Sequence, residues 1–171
     1  MLNIRLATKS DAPMIALLGR ITFNETFGHL FTDKNDLLAY HQRTFSVSKM
    51  ESSLQKKANV FWIAFYDKLP VGYAKLKLDS HSPFLPSNKT CQLQKIYVLK
   101  DFLSKKIGLE LQTALIDEAR NRDFETIWLS VLNTNTRAIA FYKKNDFAPI
   151  GTHDFQIGKE KFGFSAMAKK L

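Results

Sequence analysis

Residues 92–122 constrain this chain more than any other stretch. Leu93, Ile96, Tyr97 and Val98 form a short apolar run with the length and the β-branched and aromatic character of a strand. A loop carrying Ser104, Lys105 and Lys106 follows. From about Ile107 an amphipathic helix begins, with Ile107, Leu111, Ala114, Leu115 and Ala119 at helical spacing. A strand, a basic loop and a helix N-terminus make an anion site, because the first-turn amides lack partners and the positive dipole end faces the loop. Two lysines ahead of a helix start oppose that dipole. An anion held between them and the amides removes the conflict.

The remaining elements fall around this unit. Ile4 and Leu6 alternate in an opening strand. Thr8 or Ser10 caps a first helix, with Asp11 and Pro13 in its first turn and Met14, Leu17, Leu18 and Ile21 as its apolar stripe. Gly28 interrupts the segment TFNETFGHLF, and Asp33 opens a second helix to about His41. Ser48 and Glu51 read as the capping box of a third helix, which carries Met50 and Leu54. Val60 to Tyr66 is apolar enough for a buried strand, and Val71 to Leu78 alternates as a hairpin partner with one solvated face. Thr126 to Leu132 is another buried strand. Asn135 caps a helix to about Lys144, which ends at Asn145 and Asp146, residues that tolerate the left-handed conformation. Strands at about Phe147 to Gly151 and Phe162 to Ala168 close the chain. This order predicts a layered α/β or α+β fold, with residues 1–171 as a single domain.

Composition narrows the function classes. With 45% hydrophobic and 24% charged residues, the chain has the balance of a globular protein. No apolar run approaches the roughly 20 residues that span a bilayer, and the first residues lack the apolar core of a signal peptide, so no membrane association is expected. Cys91 is the only cysteine, which makes a packed thiol and a cytoplasmic location the default expectations. The net charge of +9 suits nucleic acid, an anionic surface or a polyanionic ligand. The basic residues are dispersed and not gathered in one tract, which disfavours nucleic acid. Acids are missing between Ser80 and Lys100, beside the proposed anion loop. The four histidines show no metal-ligand spacing, and no metal is expected.

The 92–122 unit resembles the cofactor-binding motif of the GNAT superfamily of N-acetyltransferases. The usual loop pattern stands here as Phe102, Leu103, Ser104, Lys105, Lys106, Ile107 and Gly108, with only the last glycine kept. A second matching stretch is Asn135, Ala138 and Phe141-Tyr142-Lys143-Lys144, ending at Phe147. ITFNETF, VGYAKL, IWLSV, AIAFYKKNDF and GTHDFQIG are similar to bacterial spermine/spermidine N-acetyltransferases. The resemblance implies a mixed, largely antiparallel central sheet flanked by helices, with a splayed central strand pair. It also implies acetyl-CoA as co-substrate and the primary amine of a small molecule, such as a polyamine, as acceptor. A protein or peptide acceptor, a non-catalytic binding module and a homodimer remain open at this level.

The same resemblance implies the site residues. Backbone groups of Ile96, Tyr97 and Val98 would bind the pantetheine arm and polarise the thioester. Leu103, Ser104, Lys105, Lys106, Ile107, Gly108 and Leu109 would hold the pyrophosphate. Asn135 would contact the cofactor arm, and Tyr142 would serve as general acid near the sulfur. Asn135 is also a helix cap, and Tyr142 also has the spacing of a core residue. Many members carry a glutamate base on the strand where this chain has Gln92 and Gln94, which do not titrate. Glu25, His29 and His153 are the other candidates for acceptor binding or proton removal.

Overall fold

Strands β1 (Leu2–Leu6), β2 (Asn59–Tyr66), β3 (Leu69–Lys77), β4 (Thr90–Val98), β5 (Thr126–Leu132), β6 (Ala148–Ile157) and β7 (Glu160–Lys170) make one seven-stranded sheet. Helices α1 (Ala12–Phe27), α2 (Lys34–Thr44) and α3 (Val47–Leu54) precede β2, while α4 (Ile107–Asn121) and α5 (Thr136–Lys144) flank β5 in the chain. This is a computed structural model describing residues 1–171. The strand order is β1-β2-β3-β4-β5-β7-β6, and only β4 with β5 runs parallel. The expected mixed, largely antiparallel sheet is the one found.

Each face of the sheet carries its own core. On one, α4 lays Ile107, Leu111, Leu115 and Ala119 against Ala74, Leu76, Leu93, Ile127 and Leu129. On the other, α1, α2 and α3 cover Phe61, Ile63 and Tyr73. Strand β3 is therefore covered on both faces, not on one as its alternation suggests. Tyr73 on one side and Ala74 and Leu76 on the other are fully buried. Polar alternation misleads here because Lys75 is packed against an aromatic ring, with its ammonium 5.4 Å from the Phe61 ring centroid.

Helix α1 also buries a different stripe from the expected one. Ala12, Ile15, Ala16, Leu18, Gly19, Thr22 and Phe23 face inward, while Leu17 is 60% exposed and Ile21 38%. Small residues decide the face. A side chain at Gly19 would overlap the Phe45 ring at the end of α2 and crowd the Tyr73 hydroxyl of β3, so the Ala12-Ala16-Gly19 side is the one that packs this closely. Two further expectations shift. The cap of α3 is Ser46, whose hydroxyl accepts from the Lys49 amide at 3.2 Å, and not Ser48. Strands β6 and β7 run longer than predicted, as one hairpin turned at Gly158. The β2–β3 turn is made at Asp67 and Lys68, both with positive φ, the geometry of a two-residue hairpin turn.

The chain start is tied down by one buried carboxylate. Asp11, only 2% exposed, accepts two 2.8 Å bonds from the Arg5 guanidinium and a 2.7 Å bond from the Thr8 amide. Mainly through the Arg5 hydrogen bonds, and against the cost of burial, its pKa falls from 3.8 to about 2. A depressed folded-state pKa contributes stability that is complete above the unfolded value and disappears as the pH falls through the folded one. Asp11→Asn is expected to cost about 1–2 kcal/mol at neutral pH, after discounting for the half-exposed Arg5. The difference in urea midpoint between the variant and wild type should shrink between pH 4 and pH 2 (roughly the window set by the two pKa values).

Candidate active site

The site begins where two central strands part. Strand β4 pairs with β5 only at Thr90, Cys91 and Gln92, opposite Thr126, Ile127 and Trp128. From Leu93 to Val98 it stays paired with β3 and leaves its other edge open. The closed end is locked through Ser80. Its carbonyl accepts from Trp128 Nε1 and Thr90 Oγ1, each at 2.8 Å, and its hydroxyl donates to Gln92 at 3.1 Å. The open end is held by the Leu99 amide on the Val71 carbonyl at 2.9 Å and by Glu25, whose carboxylate accepts the Lys100 amide at 3.1 Å. Opposite β3, Lys95 pairs with Lys75 while Leu93 pairs with Leu76, so Gln94 is an extra residue in β4. Such a bulge bends its strand and increases its twist, which suits a strand leaving its neighbour.

The opening leads into a cleft of about 970 Å³. Along it lies the loop from Leu103 to Leu109. The amides of Ser104, Lys106, Ile107 and Gly108 donate to no backbone carbonyl, whereas Lys105 and Leu109 donate to Phe102 and Lys106. Free amides at the start of α4 point a positive field into the loop. Gly108 has no packing reason to be glycine, because a Cβ there would meet only Ile96 Cγ2 and Phe141 Cζ, each at 4.0 Å. Lys106 caps α4 with φ of 59°, the left-handed conformation for which glycine is the usual residue. The loop thus keeps its shape without that glycine, at the expense of backbone strain.

Most of the residues expected at the cofactor site come together here. Ile96, Tyr97, Val98, Leu103, Ser104, Lys106, Gly108, Leu109, Asn135 and Tyr142 all line the cleft, as do Glu25 and His29. Two do not. The Lys105 ammonium lies 5.5 Å from the Tyr66 ring centroid, outside the cleft. Ile107 is fully buried in the α4 core and offers only its amide. Asn135 caps α5, its Oδ1 accepting from the Ala138 amide at 3.1 Å. Tyr142 is largely buried, with Phe141 and Phe147 edge-on at 5.3 and 5.6 Å. Burial first, and then Tyr97, push its pKa well up, so it stays a neutral phenol able to donate a proton.

The other half of the cleft is walled by α1, α2 and the β6–β7 hairpin. Asp33 pairs with Lys159 at 3.1 Å, Asp36 accepts the Lys159 amide at 2.9 Å, and Phe162 packs edge-on against Phe27 at 5.6 Å. These contacts join α1 and α2 to the hairpin and commit both aspartates outside the cleft. His153, a candidate in the sequence, also lines the wall, but its partner there and a lysine nearby escape a reading of the sequence. Ser130, in the middle of the apolar β5, bonds His153 Nε2 at 2.7 Å, and the imidazole stacks on Phe164 at 5.4 Å. Lys95 also lies in the wall. A lone hydroxyl and a lone lysine in apolar strands were the available signals.

The parted strands thus open onto a loop of free amides, and a neutral, largely buried tyrosine lines the same cleft. A model of the acetyltransferase (GNAT) family matches residues 24–147, and the chain belongs to that family of N-acetyltransferases. It is 23% identical over 154 residues to an uncharacterized N-acetyltransferase in the pepI 3′ region of Lactobacillus delbrueckii subsp. lactis, covering 90% of this chain and 88% of that one. Its fold is similar to PaiA N-acetyltransferase from Thermoplasma acidophilum in complex with coenzyme A, with a TM-score of 0.80, 19% identity and 100% and 99% of the two chains covered. It is also similar to ribosomal-protein-alanine N-acetyltransferase from Brucella melitensis, with a TM-score of 0.73, 23% identity and 99% of each chain covered.

The loop geometry yields a paired expectation. Lys106→Gly should raise stability by about 1 kcal/mol at most, through relief of the left-handed strain, while lowering coenzyme A affinity by removing a cation. Gly108→Val should leave the protein folded with a Tm within a few degrees of wild type (about 1 kcal/mol). It should abolish calorimetric coenzyme A binding, because its branched side chain enters the cleft.

Proposed function

We propose that this enzyme transfers the acetyl group of acetyl-CoA to the primary amine of a small molecule, within one catalytic domain spanning residues 1–171. The observation that carries the reading is the parting of β4 from β5 into a cleft shared by the free loop amides and Tyr142. When bound, acetyl-CoA supplies an activated thioester whose sulfur leaves as a thiolate.

The chain's own groups then have distinct roles. The amides of Ser104, Lys106, Ile107 and Gly108 receive the pyrophosphate, with the Lys106 charge adding attraction. The open edge of Ile96, Tyr97 and Val98 hydrogen-bonds the pantetheine arm in place of the missing strand partner. Asn135, its Oδ1 used by the helix, offers its amide nitrogen to the same arm. Tyr142 holds its proton at Oη until the thiolate departs and then delivers it. An interaction that strengthens as charge develops on sulfur accelerates the step and does not merely tighten binding.

The amine must lose a proton to attack. Gln92 is held by Ser80, and Gln94 does not titrate. Of the titratable candidates, Glu25 is engaged by the Lys100 amide. His153 lines the cleft with Ser130 on its Nε2, an arrangement suited to passing a proton from the amine through a hydroxyl or a water to the imidazole.

The acceptor's identity is the finer part of the proposal. Similarity to spermine/spermidine acetyltransferases makes a polyamine the first acceptor to assay. The wall charges speak for a less cationic amine. Lys95, Lys100, Lys106, Arg137 and Lys144 line the cleft, and Glu25 is the sole carboxylate among its lining residues. An acceptor panel with acetyl-CoA, followed by free-thiol release, tests the whole reading. Absence of transfer to every primary amine would overturn it.

With the best acceptor, Tyr142→Phe should lower kcat by about 10²–10⁴-fold and spare acetyl-CoA affinity. Its Tm should move little, since the ring is kept and the hydroxyl is worth about 1 kcal/mol. A kcat within about threefold of wild type would exclude the acid role, being under 1 kcal/mol of barrier. His153→Ala should lower kcat and spare acetyl-CoA affinity, and Ser130→Ala should lower kcat by a smaller factor. An unchanged kcat with a lowered Tm would assign His153 a packing role instead.

A further inference from the structure

The bulge at Gln94 has a chemical effect as well as a geometric one. Leu93 and Ile96 both face α4, although strict alternation allows only residues of equal parity on one face. The extra residue reverses the facing, so Lys95 joins Tyr97 on the face covered by α1 and α2. A lysine is thereby placed in the acceptor half of the cleft.

Its surroundings are unusual for a cation. The ammonium lies 5.0 Å from the Phe45 ring centroid and 5.1 Å from that of Tyr97. It has no salt-bridge partner. Its register neighbour is another lysine, Lys75, whose pKa is lowered to about 8, first by burial and then by Lys95 itself. Burial likewise lowers the pKa of Lys95, with Tyr40 opposing the shift. Aromatic faces offset part of the cost of holding a cation there, but ring quadrupoles do not replace a counter-charge. The Lys95 nitrogen is also absent from the buried polar atoms that lack partners, so it retains access to the cleft. Glu25, the carboxylate nearest in role, is occupied by the Lys100 amide. The missing counter-ion is therefore available only from outside the chain.

We infer that the acceptor is an amine that also bears a carboxylate, and that Lys95 binds that carboxylate while the amine points toward the Tyr142 end of the cleft. The inference rests on the acetyl-transfer reading above and deepens it by assigning the acceptor's charge. One half-buried cation matches a monoanion, which would supply Lys95 with the counter-charge that the chain does not. A polycation would place its distal ammonium against Lys95, where like charges meet in a poorly solvated site.

The test compares ω-amino acids from 3-aminopropanoate to 6-aminohexanoate with the corresponding ω-amino amides and with spermidine. Wild-type kcat/KM should favour the best amino acid over its amide by about tenfold or more, the discrimination expected when a site holds a charged partner. In Lys95→Met that ratio should fall to about one through a rise in KM for the acid, and Lys95→Arg should retain part of it. Calorimetry with the same acids and amides on coenzyme A-saturated protein gives a readout independent of turnover. Equal treatment of acid and amide by wild type, or an acid preference that survives in Lys95→Met, would overturn the inference. So would a preference for spermidine. If Lys95→Met does not fold, the wild-type ratio and the Lys95→Arg variant decide. Failure of the acetyl-transfer reading would look different, with coenzyme A bound, no amine acetylated and the calorimetric acid-to-amide ratio still reporting on Lys95.

Discussion

Everything that suits this chain to its chemistry depends on β4 being paired on one side only beyond Gln92. A strand in the middle of a sheet normally spends both rows of its backbone groups on neighbours, and unpaired buried groups are costly. Here the cost is accepted along six residues, and the structure around them is arranged to keep the gap from closing. Ser80 clamps the closed end through Trp128, Thr90 and Gln92, while Val71 and Glu25 hold the far end away from β5. Glu25 thus has a positioning role for the strand, whatever else reaches the cleft.

The strain of the site is distributed in the same economical way. Lys106 stands in the left-handed region that a glycine would occupy without penalty, and in return a cation lines the cleft. Asp146 ends α5 with φ of 67°, again in place of glycine. There the residue is outside the cleft, and Lys169 pairs with its carboxylate at 3.4 Å. Comparable backbone geometry therefore supports binding in one place and chain termination in the other. The distinction comes from neighbouring charge.

Electrostatically the cleft has two ends and a neutral middle. Lys100, Lys106, Arg137 and Lys144 are lining residues suited to a polyanionic co-substrate, and Lys95 lines the same cleft from β4. Between them Tyr97 and Tyr142 stay protonated because burial opposes the phenolate, with Tyr97 pushed up to about 12. A net charge of +9 is thus partly concentrated where anions are expected and is not merely a solubilising surface.

The strand-loop-helix unit, the bounds of β5, the Asn135 cap and the Asp146 terminus were all legible in the sequence, because each depends on residues within a few positions of one another. The family resemblance was legible for the same reason. Facing was not. The buried stripe of α1 follows from the Phe45 ring meeting Gly19, the burial of β3 from helices on both sides, and the placement of Lys95 from one bulged residue opposite β3. The Lys105 side chain turned to Tyr66, and the Ser130–His153 bond, likewise join residues distant in the chain. Periodicity states which residues share a face, but only packing against a particular partner states which face is inward. A single inserted residue reverses that assignment for part of a strand. The chain therefore determined by itself that a strand-loop-helix with a basic loop would form, and the tertiary structure alone decided which side chains look into the cleft it opens.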